Sequence, residues 1–236
     1  MLHGRIIMMF ELIKKLCRGI PEELAVLIRQ SGSGFLFSCF ILAILCSSIY
    51  GMSVGIWRAP LQGFYVAIKF PLLIVLVTVG NALINGIFAK VLGAKLTFRE
   101  SFLAVLMSFT VASVILASFA PLMLCLIWNS PPVTDPNSTI AHHGILLFNV
   151  VTIAFAGVVS NLHLYKLILH LTESKEESKR IIFSWLAVNL LLGSQLSWIM
   201  RPFIGGPKGA VEFLRDNAFV GNFFEAVFHS AKDLMF

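Results

Sequence analysis

The stretch Phe102-LAVLMSFTVASVILASFAPLMLCLI-Trp128 decides the fold of this chain. It holds no charged side chain, and it exceeds the roughly 20 residues that a helix needs to cross the hydrocarbon core of a bilayer. Backbone groups in hydrocarbon must find their hydrogen bonds within the protein, and a helix provides them within one segment. We therefore expect this stretch to form a transmembrane helix.

Four further stretches have the same character. The chain has 236 residues, of which 58% are hydrophobic and 13% charged, and its mean hydropathy is +0.88. Soluble domains carry about 25% charged residues. The sequence predicts an all-α integral membrane protein: a bundle of about five transmembrane helices with amphipathic interfacial helices at both ends. The predicted spans are residues 35–57, 64–87, 102–128, 145–163 and 181–200.

The distribution of Lys and Arg predicts the orientation. The segment before the first span, and the loops after the second and fourth spans, together hold twice as many basic residues as the segments on the other side. Loop 129–143 holds none. Since basic residues concentrate in cytoplasmic loops, we expect a cytoplasmic N-terminus, a non-cytoplasmic C-terminus and a multi-pass location in a cell membrane, the bacterial inner membrane in our interpretation.

The two ends of the chain are predicted to lie at the membrane surface. Residues 1–33 read as cytoplasmic amphipathic helices broken at Pro21, which either anchor the chain to the membrane or dock a cytoplasmic partner. The expected apolar face of the first helix consists of Ile6, Met9, Phe10, Ile13, Cys17 and Ile20. Residues 34–200 form the five-helix bundle. Residues 201–236 form a Phe-rich tail, helical from Asn222 onward, that lies in the headgroups or covers a partner.

Polar side chains recur on one face of several spans. Amides and hydroxyls inside a bilayer need partners, so we expect them to hydrogen-bond between helices. The alternative is that they line a path for a polar substrate or water. The candidate residues are Thr78, Asn81, Asn85, Asn149, Thr152, Ser160, Asn189 and Gln195.

The segment where the chain leaves the fifth span combines aromatic, basic and proline residues within a few positions. Trp198, Arg201, Pro202 and Phe203 either end the helix at the interface or contact a partner or lipid. Lys69, beside Pro71, is expected to extend outward to the headgroups. Because no Asp or Glu lies in a span core, a proton-driven carrier is disfavoured.

Local motifs predict where helices start and how they pack, but they predict no catalytic site. Thr97 with Glu100 and Ser174 with Glu177 predict capped helix starts, and the Gly51–Gly55 pair predicts close helix packing. The chain has no HExxH signature. His142 and His143 with Asp135 form only a weak metal candidate. We therefore predict no enzyme, no cofactor and no metal site, and no nucleic-acid partner, because the basic residues flank apolar spans.

One stretch carries a family resemblance. The sequence Ala89-KVLGAKLTFRESFLAV-Leu106, followed by a span containing Ala120-Pro121, resembles the bacterial branch of the Yip (Ypt-interacting protein) family. Gly93-Ala94 stands where that family has a glycine pair. The resemblance implies a five-helix bundle with a cytoplasmic N-terminus. Eukaryotic members act in vesicle traffic and bind small GTPases, a role that no residue here carries.

The absence of catalytic groups, the polar stripes and the amphipathic ends together favour one function. We expect a non-enzymatic polytopic membrane protein that acts as a scaffold or as a subunit of a membrane complex. Its predicted partners are the lipid bilayer and either another protein or further copies of itself. The alternative is a small transporter or channel that uses the polar faces of spans two to five. A third hypothesis is a lipid-directed enzyme using Arg201 and His142/His143.

Overall fold

The computed structural model describes residues 2–30, 32–91, 96–172 and 174–225, with the side chains at 2–8, 85, 89 and 90 left undescribed. Within these ranges the chain forms seven α-helices of ten or more residues and no strand. The helices are α1 (Leu2–Arg18), α2 (Pro21–Gln30), α3 (Ser33–Gly55), α4 (Pro60–Val91), α5 (Phe98–Trp128), α6 (Ser138–Thr172) and α7 (Lys175–Ile199).

Helices α3 to α7 are long and apolar enough to cross a membrane. This confirms the predicted fold class of an all-α membrane protein with five spans. The helices extend beyond the predicted apolar cores because polar turns cap them. Thr97 and Glu100 form a reciprocal capping box at the start of α5, and the Ser174 hydroxyl accepts a bond from the Glu177 N–H at the start of α7.

The bundle is built around close contact between α3 and α4. A Cβ added at Gly51 would lie 2.5 Å from the Val66 carbonyl oxygen, and one at Gly55 would lie 2.7 Å from the Gln62 carbonyl oxygen. Only glycine allows the two backbones this approach, as the sequence predicted. α3 also packs on α5, α5 packs on α6, and α7 packs on α4 and α6.

The N-terminal helices pack on the end of the bundle where α5 and α7 begin. Leu12, Leu16, Leu24 and Ile28 are buried in one apolar cluster with residues of α5, α6 and α7. This corrects the predicted apolar face of α1, because Phe10, Cys17 and Ile20 are exposed, while the side chain of Ile6 lies outside the described set. α1 is apolar around much of its surface, and contact with the bundle, not spacing alone, selects the buried side.

The chain after α7 covers the opposite end of the bundle, and we call residues 201–225 the strap. Ile204 and Phe203 join a second apolar cluster there, with Tyr50, Phe70 and Ile145 among its members. The predicted tail helix begins at Phe223, and its remainder, from 226 onward, lies outside the described residues.

Candidate functional site

Lys69 lies inside the protein at the strap end of α4. Its side chain is fully buried (0% exposed), and its Nζ donates a hydrogen bond of 2.7 Å to the Pro202 carbonyl oxygen. The expectation that Lys69 reaches outward to the headgroups is therefore wrong. The strap covers the lysine, so the ammonium donates to a carbonyl oxygen of the protein and does not reach the membrane surface.

Two further side chains bind the strap, one in the first turn of α4 and one in the turn just before that helix. The Gln62 amide donates to the carbonyl oxygens of Pro202 and Phe203, both at 3.0 Å. The Arg58 guanidinium donates to the Gly209 carbonyl oxygen at 2.7 Å. Gln62 and Lys69 lie on one side of α4 and Arg58 lies just before the helix. Together the three donors hold the backbone from Pro202 to Gly209. We call these three residues the clamp.

Aromatic rings surround the buried ammonium. The Lys69 Nζ lies 5.8 Å from the centre of the Phe203 ring and 5.2 Å from that of Phe213. These rings are held edge-on against Phe70 and Tyr65, with ring centres 5.5 and 5.6 Å apart. Ring faces attract a cation, and the attraction strengthens when water is excluded. The carbonyl and the rings stabilise the charge, and the Glu212 carboxylate adds a favourable electrostatic interaction with the ammonium. This arrangement suits attachment of the strap.

A tight turn brings the strap to the clamp. Gly205 has a positive φ of 79°, and a Cβ there would approach the Arg58 Cγ to 3.1 Å. The left-handed conformation and the lack of space both favour glycine. The peptide bond between Arg201 and Pro202 is cis.

The four residues of the helix exit do not form one open surface. The Arg201 guanidinium lies 3.4 Å from the centre of the Trp198 ring and donates to the Trp198 carbonyl oxygen at 2.8 Å. Pro202 is buried and Phe203 is half-buried. Pro202 therefore faces the protein, which corrects its expected placement on a partner- or lipid-facing surface. Trp198 and Arg201 stay partly exposed, and their contact with a partner or lipid stays a prediction.

The predicted polar stripes separate into two pairs between helices. Asn81 of α4 donates to the Asn189 side-chain oxygen of α7 and to the Val77 carbonyl oxygen. On the other side of the bundle, the Tyr50 hydroxyl of α3 donates to the Asn149 side-chain oxygen of α6 at 2.9 Å. The structure thus brings two candidates, Asn81 and Asn189, together, and it pairs a third, Asn149, with Tyr50, which was not among the predicted site residues.

Of the remaining candidates, two bond within their own helix and one bonds to the strap. Thr152 and Ser160 donate to carbonyl oxygens within α6, and Thr78 is buried with no recorded partner for its hydroxyl. The Gln195 side-chain oxygen accepts the Phe223 N–H of the strap at 3.2 Å. The side chain of Asn85 lies outside the described residues.

Groups that could bind a metal ion do not converge in the part of the chain that the structure describes. The rings of His142 and His143 lie 5.9 Å apart, and His142 packs near Trp57. Asp135 accepts the N–H of Asn137 in its own turn. Asp135, His142 and His143 therefore do not form a cluster of possible metal ligands.

Comparison of the chain with protein-family models, with curated proteins and with solved structures gave no match. The clamp and the two polar pairs therefore carry the functional argument.

Proposed function

We propose that this chain is a non-enzymatic polytopic membrane protein that serves as a scaffold or as a subunit of a membrane complex. The observation that carries the proposal is the fixation of the strap at both ends. The clamp binds its first part to α4 and to the turn that precedes it. Its last part is bound to α7, where the Trp198 indole donates to the Val220 carbonyl oxygen at 3.4 Å and Gln195 accepts from Phe223.

The fixed strap exposes apolar side chains outside the five spans. Phe219 is 80% exposed and Val220 is 69% exposed, and Phe224 is exposed beside them. Apolar groups that a defined backbone holds exposed mark surfaces that bind another protein or a membrane. A partner protein, or a second copy of this chain, would bury them, and this supports the role of a complex subunit.

The polar pairs support the scaffold role over the transporter alternative. Asn81 bonds Asn189, and Tyr50 bonds Asn149, so these groups join neighbouring helices. A transporter would need such groups for its substrate. Solute flux in proteoliposomes that disappears in the Asn81→Leu/Asn189→Leu variant would favour the transporter instead.

The size of the particle extracted in mild detergent tests the proposal. Native mass spectrometry should detect the 26.1 kDa chain mainly in a larger assembly. The Phe219→Ser/Val220→Ser variant should lose that assembly, because it removes the exposed apolar surface of the strap. Phe10→Ser, which removes an exposed ring from α1, is the matched control and should keep it. A wild-type protein that is strictly monomeric and without partners would overturn the proposal.

Family and location remain part of the same proposal. The five-helix bundle is what resemblance to the bacterial Yip branch implies, and we propose membership on that ground. We also propose a multi-pass location in a bacterial inner membrane with the N-terminus in the cytoplasm, supported by the distribution of Lys and Arg.

A further inference from the structure

A surface cavity of about 540 Å³ lies at the end of the bundle opposite the strap, between α2, α6 and the start of α7. α6 ends at Thr172 and α7 begins at Lys175, so the cavity lies where the apolar spans end. Phospholipid headgroups occupy this level of a membrane. The residues that line the cavity are Pro21, Glu22, Arg29, Lys166, Leu169, His170 and Lys175.

The cavity carries an excess of positive charge. Three permanent cations, Arg29, Lys166 and Lys175, line it with one carboxylate, Glu22. The Glu22 carboxylate lies 3.9 Å from the His170 ring nitrogen, and Arg29 pairs at 3.6 Å with Glu100, which lies outside the lining. Among the described residues neither lysine has an ion pair, so the two ammonium groups of α6 and α7 are available to an anion.

Exposed apolar side chains continue from the two lysines along the spans. Leu162 lies one helical turn before Lys166 and is 53% exposed. Phe183 lies about two turns after Lys175 and is 76% exposed. Residues about one or two turns apart share a helix face. Each lysine is therefore followed, towards the middle of the bilayer, by apolar surface.

We propose that this cavity binds the headgroup of an anionic phospholipid. The phosphate lies between Lys166 and Lys175, and the acyl chains lie along Leu162 and Phe183. Basic pockets between transmembrane helices at the headgroup level recognise anionic lipids in this way. A free phosphate would use only the cations, whereas a lipid also uses the apolar surface below them.

Lipid titration of the purified full chain tests the inference. Dioleoyl phosphatidylglycerol is added to the protein in a zwitterionic detergent, bound lipid is counted by native mass spectrometry, and dioleoyl phosphatidylcholine is the neutral comparison. The Lys166→Gln/Lys175→Gln variant should bind phosphatidylglycerol about 30-fold more weakly, the factor expected for two lost basic contacts. Phosphatidylcholine binding should stay unchanged.

Two further variants separate this site from general surface charge. Lys14→Gln/Lys15→Gln removes the same charge from the exposed side of α1, so it should leave the affinity for phosphatidylglycerol unchanged. Glu22→Gln removes the carboxylate that opposes an anion and should strengthen binding, a change that a folding defect does not produce. Equal affinities for wild type and Lys166→Gln/Lys175→Gln would overturn the inference. So would inorganic phosphate that displaces the lipid at matching concentration, since it would assign the site to a free anion.

Discussion

Lys69 shows how a single residue joins two distant parts of this chain. Moving an ammonium out of water costs several kcal/mol, even after the protein relaxes. Here the Pro202 carbonyl and the rings of Phe203 and Phe213 offset this cost, because hydrogen bonds of charged groups contribute about 1.5–3 kcal/mol. The offset exists only while the strap is in place, so the buried charge favours the attached state of the strap.

Replacing Lys69 should loosen the strap. Lys69→Met keeps much of the side-chain volume but removes the charged donor, so we expect the strap to detach more often. The reporter is a cysteine at Ala218, which is 2% exposed, in a background without the native cysteines. Its labelling rate should rise about tenfold or more, which corresponds to the loss of one charged hydrogen bond.

Lys179→Met is the matched control for this measurement. Lys179 is exposed on α7 and pairs with Glu176 on the same helix, so its loss should leave labelling of Ala218→Cys unchanged. An unaltered rate in Lys69→Met would show that the lysine does not hold the strap.

Tyr50 provides a second prediction about a single residue. Tyr50→Phe removes the hydroxyl that bonds the buried Asn149, and we expect the free energy of unfolding to fall by about 1 kcal/mol. Denaturation of the detergent-solubilised protein measures this loss. Tyr65→Phe alters a half-exposed tyrosine and should have no effect; equal stability of both variants would mean that the Tyr50–Asn149 bond adds nothing.

Lys69 also marks a limit of what the sequence could predict. Its acceptor is 133 residues away along the chain, and no local pattern shows that the strap returns to α4. A signal was nevertheless present, since Gln62 and Lys69 lie seven residues apart on one side of α4. Polar groups within a span face protein and not lipid, and applying to Lys69 the rule used for Asn81 would have predicted its burial.

At the level of helices, hydropathy was sufficient for the five spans but not for the side that α1 buries. Among the described helices, five are both long enough and apolar enough to cross a membrane, so length and composition identify the spans. In α1, Leu12 and Leu16 compete with Phe10 and Cys17 for the buried side. Packing against the end of the bundle buries Leu12 and Leu16. The surface against which they pack forms only when the protein folds.

The contact between α3 and α4 predicts a large effect of one added methyl group. Gly51→Ala would place Cβ against the Val66 carbonyl oxygen, and relieving that overlap requires the helices to separate. We expect the free energy of unfolding to fall by about 1–3 kcal/mol. Thermal or denaturant unfolding in detergent measures it.

Gly157 of α6 offers the matched control for this substitution. A Cβ there meets no atom within 4 Å, so Gly157→Ala should leave stability unchanged or raise it by up to about 1 kcal/mol through helix propensity. If Gly51→Ala were as stable as Gly157→Ala, the close approach of α3 and α4 would be excluded.

At the level of the whole molecule, five spans place the strap and loop 129–137 on one side of the membrane and the N-terminal helices on the other. Single cysteines at Asn137 and Lys208 should react with a membrane-impermeant reagent added to intact cells. Those at Lys14 and Lys175 should react only after permeabilisation. All four positions are exposed.

The pattern of labelling separates two parts of this account. Opposite sides for Asn137 and Lys208 would contradict the five-span bundle. A complete reversal of all four would leave the bundle intact and contradict only the orientation inferred from Lys and Arg.

The proposal that the strap is a docking surface is tested most directly by photo-crosslinking from Phe219 in native membranes. A photoreactive amino acid at Phe219 should give a defined protein adduct, with a second copy of the chain or with another protein, because this exposed side chain is held on a fixed backbone. The same probe at Phe10, also exposed, controls for random collision and should not give that adduct. Exclusive crosslinking of the Phe219 probe to lipid would contradict the account, because it would place the strap in the headgroups and not against a partner.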